Sequence, residues 1–236
     1  MSQGKLYLIP SPLGEYDPAE VLPAPVLSQL KEIRTFVVEE VRTARRFLSA
    51  AGLKGHIQEL SFHTLNEHTA PAEVEALAGL FADGQDVGLI SEAGLPAVAD
   101  PGAQLVALCH RRGIEVVPLV GPSSLMLALM ASGLDGQHFA FRGYLPAKTD
   151  ERRAAIRQVE KDSLLRGETE IIIETPYRND SFLEDLIACC KGTTRITVAA
   201  NITLPDAFIR TRTAAEWKKD KPVIGKRPCV FLLLAR

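Results

Sequence analysis

Short apolar runs alternate with stretches of helical spacing through the first half of this chain. Residues 5–9, 35–39, 87–90 and 114–117 are apolar or β-branched runs of strand length,. Between them, residues 26–33 and 42–51 read as helices, and Val74, Leu77, Ala78 and Phe81 fall at i, i+3, i+4 and i+7,. Thr69-Ala70-Pro71 is a helix start by capping and early proline, whereas residues 61–68 have no clean period,. A further helix over residues 103–112 is stopped by Gly113,. Strand–helix alternation of this kind predicts a mostly parallel sheet with crossover helices.

The second half has another rhythm. Helices are predicted over residues 125–131, 151–160 and 182–190, with Ser123 or Ser124 capping the first,. Strand-like runs fall at 138–143, 169–174, 195–201, 208–212 and 229–234, and Leu204-Pro205-Asp206 reads as a turn joining two antiparallel strands,. A mixed sheet covered by helices fits this half. The fold class expected is therefore α/β in two domains, an N-terminal parallel one over residues 1–118 and a C-terminal mixed one over 122–236. The PLVGP segment at 118–122 serves as the connection,.

Composition narrows the function classes. The chain has 236 residues, 46% of them hydrophobic, which is ample for real cores and far from the composition of disorder,. Its formal net charge of −2 does not signal wholesale electrostatic binding of nucleic acid or membrane,. No stretch approaches the length of a membrane span, and the start of the chain is too short for a signal-peptide core, so a soluble protein is expected,. Four cysteines without a C-x-x-C pair point to a reducing cytoplasm,. His63 and His68 lack the i, i+4 spacing of a helical zinc pair, so no metal is expected,. P-loop, G-x-G-x-x-G and G-x-S-x-G patterns are all absent,.

What remains is a set of Pro/Gly-bounded loops at predicted strand ends: residues 10–14, 91–102, 121–124 and 174–178. The longest, within GLISEAGLPAVADPG at 88–102, follows a buried strand and precedes a helix. That arrangement aims backbone N–H groups at a ligand. Loops of two adjacent domains converge on a cleft, where small ligands usually bind. Arg42, Arg45 and Arg46 lie close together after Glu39 and Glu40, either as a solvated helix face or as a frame for an anionic substrate,.

The order of these motifs resembles the tetrapyrrole methylase superfamily, the class III S-adenosylmethionine-dependent methyltransferases. The segments are Pro12-x-Gly14, Glu39-Glu40-x-Arg42-x-x-Arg45, His63 with Asn66-Glu67, Ser91-Glu92-Ala93-Gly94-Leu95-Pro96 with Asp100-Pro101-Gly102, Gly121-Pro122-Ser123-Ser124, Gly143-Tyr144-Leu145-Pro146 and Glu174-Thr175-Pro176-Tyr177-Arg178. Within the superfamily the chain looks most like the branch that methylates a cytidine 2′-hydroxyl in small-subunit ribosomal RNA. Glu92 and Leu95 stand where that branch has Asp and Thr, and Asn201 lies in a segment that has lost the branch's charged residues.

The resemblance implies two α/β domains, S-adenosylmethionine in the cleft between them, and a homodimer. It places Pro12, Ser91, Glu92, Ala93, Gly94, Pro96, Val98, Ala99, Ser123, Ser124, Tyr177 and Asn201 on the cofactor. Gly14, Arg42, Arg45, Asn66, Lys148 and Arg152 would face the acceptor, ribosomal RNA or the small ribosomal subunit. Methyl transfer to a hydroxyl requires a proton acceptor, for which Glu40, His63 and Glu174 are the candidates,. Alternative readings are methylation of a tetrapyrrole or other small metabolite, and a cofactor-binding module that has lost catalysis.

Overall fold

The computed structural model describes residues 4–236 and divides the chain after Ser123 into two compact units. In the first, the elements in order are β1 (Leu6–Ile9), α1 (Ala24–Glu32), β2 (Thr35–Val38), α2 (Val41–Leu48), β3 (Ser61–Thr64), α3 (Pro71–Ala76), β4 (Val87–Ile90), α4 (Ala103–Arg112) and β5 (Val116–Pro118). All strands run parallel in the order β3-β2-β4-β1-β5. The central strands β1, β2 and β4 are almost wholly apolar and buried because both faces are covered,. Tyr7, Ile9, Phe36 and Val38 pack with Leu30 of α1 and with Ala44 and Leu48 of α2. Leu6, Val37, Val87 and Leu89 face the other way, onto Val74 of α3 and Leu105 and Leu108 of α4.

This winding fixes where loops gather. The chain leaves β1 toward the α1/α2 face and leaves its neighbour β4 toward the α3/α4 face. The adjacent strands β1 and β4 thus form a topological switch point, and the loops beyond their carboxyl ends part around a crevice.

The second unit comprises α5 (Ser124–Ser132), β6 (Phe139–Tyr144), α6 (Thr149–Arg166), β7 (Thr169–Glu174), α7 (Asn179–Cys189), β8 (Arg195–Ala200), β9 (Phe208–Thr213), α8 (Ala214–Lys219) and β10 (Cys229–Leu234). Its sheet order is β6-β7-β10-β8-β9, with β6 parallel to β7 and the other neighbours antiparallel. Phe182 of α7 meets Phe231 of β10 edge-on at 4.9 Å between centroids, in a core that also takes in Ile156, Ile196 and Trp217. The Trp217 indole N–H, fully buried, donates to the Ile196 carbonyl at 2.9 Å, which satisfies its one polar atom,.

The expected fold class, a parallel α/β unit followed by a mixed one, holds. Some elements differ from expectation. Residues 61–64 form edge strand β3, whose mixed exposure leaves no period to read. The helix expected over residues 74–81 is α3 followed by 3₁₀ turns over Leu77–Gly84. Its start is held by the Glu73 carboxylate, which accepts from Ala70 N, while the Thr69 hydroxyl accepts from Asn66 N. Helix α8 was not expected at all. Its four-residue signature, Thr213-Ala214-Ala215-Glu216, is a capping box in which Glu216 N donates to Thr213 Oγ1 and Thr213 N to Glu216 Oε2,.

Candidate active site

At the switch point the two loops are tied to each other through their backbones. Ser11 N donates to Gly94 O at 2.9 Å and Gly94 N to Ser11 O at 3.0 Å. The Ser11 hydroxyl, buried, adds a bond to Ser91 O at 2.9 Å. Gly94 has φ of 75°, a left-handed value that glycine adopts without strain,. The next loop edge is close as well, since a Cβ on Gly121 would lie 2.2 Å from Pro10 Cβ. Ala97 (φ 65°) and Ala99 (φ 64°) also hold left-handed backbone, the kind of strain that clusters at ligand sites,.

Beside these loops lies a cleft of about 590 Å³ lined by residues 11–16, Thr43, Arg46, Phe47, Glu92 and Ala93, among others. The sequence-expected Pro12, Gly14, Glu92 and Ala93 therefore meet on one wall system, with Ser91 and Gly94 directly behind. The Thr43 hydroxyl joins α2 to the loop after β4, lying 3.1 Å from Glu40 Oε2 and 3.2 Å from Glu92 Oε1. The Ser91 hydroxyl is buried behind these loops, where it favours the charged form of Asp100.

The crevice is acidic on the β2/β4 side. Burial raises the pKa of Glu39, the first residue past β2, and the charges of Asp100, Glu92 and Glu67 push it the same way,. Asp100 is likewise raised by burial, partly offset by the nearby Ser91 hydroxyl and reinforced by Glu92. Neither residue was among the sequence candidates. Both nevertheless stand in the quoted motifs Glu39-Glu40-x-Arg42 and Asp100-Pro101-Gly102, Glu39 immediately past β2 and Asp100 in the long loop after β4.

The three expected proton acceptors fare differently. Glu40 is the N-cap of α2: its carboxylate accepts from Arg42 N at 2.9 Å and Thr43 N at 2.8 Å. Those bonds lower its pKa, which suits a cap and not a base,. His63 sits half-buried on β3, in register with Val37. Glu174, in the second unit, is buried at the end of β7, where Oε1 accepts from Thr175 N at 2.6 Å and from Arg178 Nε at 3.0 Å. Its Oε2 has no partner within the protein.

Among the expected acceptor residues, Arg42 and Arg45 are exposed on α2, and Asn66 accepts from His68 N at 2.9 Å in the turn after β3. Lys148 is exposed and pairs with Glu151 at 3.2 Å. Arg152 is only 4% exposed, its guanidinium committed to Asp185 and the Ala147 carbonyl. It is a tie between α6 and α7, which leaves its guanidinium buried and engaged within the second unit and not facing an acceptor.

The remaining expected cofactor residues are spread over both units. Pro96 is buried and Val98 and Ala99 are exposed in the strained loop. Ser123 ends the first unit and Ser124 opens α5. Tyr177 is 80% exposed, with Lys226 Nζ 5.0 Å from its ring centroid. Asn201 (φ 49°) turns the chain after β8 and donates to Asp206 at 2.8 Å. Among the described residues no His/Cys/Asp/Glu group has the makings of a metal site. No helix there is long and apolar enough to cross a membrane.

With this geometry in view, comparison with known proteins is decisive. The family model for Tetrapyrrole (Corrin/Porphyrin) Methylases matches residues 19–217. The chain belongs to the tetrapyrrole methylase family. It is 32% identical over 202 residues to the ribosomal RNA small subunit methyltransferase I of Escherichia coli O157:H7, an alignment covering 86% of this chain and 66% of that one. It is 30% identical to the protein of the same name from Thermotoga maritima, with 93% and 95% covered. The chain thus spans about two thirds of the first relative and nearly all of the second. Among solved structures, uroporphyrin-III C-methyltransferase from Thermus thermophilus, complexed with S-adenosylhomocysteine, shares the fold with a TM-score of 0.58 at 18% identity. That alignment covers 98% of this tetrapyrrole methylase and 97% of its neighbour. The resemblance read from the ordered loop motifs was correct.

Proposed function

We propose that the chain is an S-adenosylmethionine-dependent methyltransferase that transfers a methyl group to a ribose 2′-hydroxyl of small-subunit ribosomal RNA in the cytoplasm. The observation that carries this reading is the backbone-paired loop system at the β1/β4 switch point. Family membership and relatives named as ribosomal RNA methyltransferases support it. Loops that present main-chain groups around a cleft suit a zwitterionic cofactor read through hydrogen bonds,.

The cofactor, when bound, supplies an electrophilic methyl group. The chain's own task is to hold the acceptor oxygen in line with it and remove a proton. Of the carboxylates at the crevice, Glu39 has the better character for accepting that proton, because burial and like charges raise its pKa while backbone donors lower that of Glu40. Pre-set loops minimise the ordering needed when cofactor and acceptor meet.

The same reading includes a homodimer. Met126 and Met130 on α5, Phe139 and Phe141 on β6 and Ile209 on β9 are all at least 38% exposed. They belong to the side of the second sheet on which α5 packs, where Thr211 of β9 donates to the Ser132 carbonyl, so they suit the self-matching surface of a second copy,. Calorimetric titration of S-adenosylmethionine into protein of measured solution mass tests both parts. We expect saturable binding by a species of twice 25.7 kDa. Absence of binding up to millimolar cofactor would refute the enzyme, and a monomer would refute the pairing.

A further inference from the structure

We propose that the exposed face of α2, together with the turns that follow it, is a phosphate track that holds single-stranded RNA beside the switch-point cleft. This rests on the ribosomal RNA reading and assigns its binding surface. A groove of about 900 Å³ runs along the helix, lined by Arg42, Arg45, Arg46 and Lys54. Its one acid is Glu40, whose carboxylate already caps α2. In a chain of net charge −2, four cations against one engaged carboxylate is a local concentration, not a reflection of composition.

Some arginines elsewhere are tied to carboxylates, while among the described residues Arg34, Arg157, Arg195, Arg210 and Arg227 stand, like the groove arginines, outside any ion pair. The groove is distinguished by gathering three such arginines with Lys54 on one surface. Arg111, Arg142, Arg152, Arg178 and Arg212 each form an ion pair with a carboxylate. Among the described residues no ion pair engages any of the four groove cations. Arginine left without a carboxylate, on a concave surface, is suited to bidentate contact with phosphate oxygens.

Helix geometry explains the alignment. Ala44 and Leu48 face the core, which turns Arg42, Arg45, Arg46 and Ser49 outward within two turns,. Arg45 is further fixed by lying 5.4 Å from the ring centroid of Phe62 on β3, which leaves less side-chain freedom to lose on binding,. Lys54 extends the row past the end of the helix.

The groove also leads somewhere. Arg46 and Ala50 line both it and the cleft formed by residues 11–16. A strand whose phosphates follow α2 therefore reaches the loops where the cofactor reading places methyl transfer. Phosphate contacts of this sort set register without reading sequence, leaving selection of the nucleotide to the cleft.

The test is fluorescence anisotropy of a labelled single-stranded RNA oligonucleotide over a salt series, with S-adenosylmethionine affinity measured by calorimetry on the same samples. Arg42→Gln/Arg45→Gln is the main variant, since both line the groove and neither lines the cleft, Lys54→Gln a milder one on an exposed turn, and Lys161→Gln, exposed on α6, the control. Losing two phosphate contacts should weaken RNA binding about tenfold or more and make the log–log salt slope shallower by about 1.4, and losing one by about 0.7. Cofactor affinity should be unchanged, as should all values for the control. Wild-type affinity and slope in both groove variants would overturn the track while leaving the methyltransferase standing. Cofactor binding without any RNA binding by the wild-type protein would overturn the RNA reading itself. Should the double variant lose cofactor binding through misfolding, Lys54→Gln decides.

Discussion

Glu39 and Glu40 are neighbours with opposite electrostatic character. Glu40 faces the open N-terminus of α2, where two backbone N–H groups stabilise its anion,. Glu39 is drawn partly inside, among Asp100, Glu92 and Glu67, where the charged form is disfavoured. A carboxyl with a raised folded-state pKa holds its proton more tightly in the folded chain than in the unfolded one. The resulting penalty is absent at low pH and grows as pH climbs from the ordinary carboxylate value through the raised one. Glu39→Gln removes it. Thermal melts should therefore show the variant more stable than wild type at pH 7, with the difference vanishing at about pH 4. A variant less stable at pH 7 would mean that Glu39 is favourably paired instead. The sequence drew attention to Glu40 because the Glu-Glu-x-Arg pattern is visible, but burial of one glutamate and not its neighbour is decided by where β2 ends.

Between elements, the buried ion pair of Arg152 and Asp185 is the clearest case of chemistry that a sequence disguises. Arg152 and Arg153 read as a basic patch on a polar helix, yet both reach Asp185 of α7. Burial acts to raise the Asp185 pKa, but the hydrogen bonds from Arg153 and Arg152 outweigh it and hold the carboxyl below its ordinary value. Arg152→Ala leaves Asp185 with Arg153 as its remaining partner and one buried oxygen unmet, and should lower the unfolding free energy by about 1–3 kcal/mol in denaturant melts,. RNA affinity of the folded variant should match wild type. A stable variant with impaired RNA binding would restore Arg152 to the acceptor surface.

The same concealment explains why α6 runs over 149–166 when only 151–160 was expected. Its buried face includes Glu160, which accepts from Lys191 N at 2.7 Å, and Ser163, which donates to Glu168 O at 2.7 Å. By contrast β2, β7 and β10 are buried on both faces around β-branched or apolar runs, and their limits were legible to within a residue. Edge strand β3 was not, because an edge shares its pattern with a loop.

At the scale of the molecule, the strand–helix alternation made the parallel first unit and mixed second unit legible. The ordered loop motifs made the family legible. Sheet order was not, since only packing decides that β4 inserts between β2 and β1 and so makes the switch point. Nor was the meeting of Ser11 with Gly94, which are distant in sequence and joined by that order. We propose this switch point as the place where a methyl donor meets an RNA hydroxyl. Its most direct test is transfer of labelled methyl from S-adenosylmethionine to small-subunit ribosomal RNA from cells lacking this protein, followed by nucleoside analysis. We predict label in a single 2′-O-methylated nucleoside. Unlabelled RNA, from protein shown to bind the cofactor, would contradict the account.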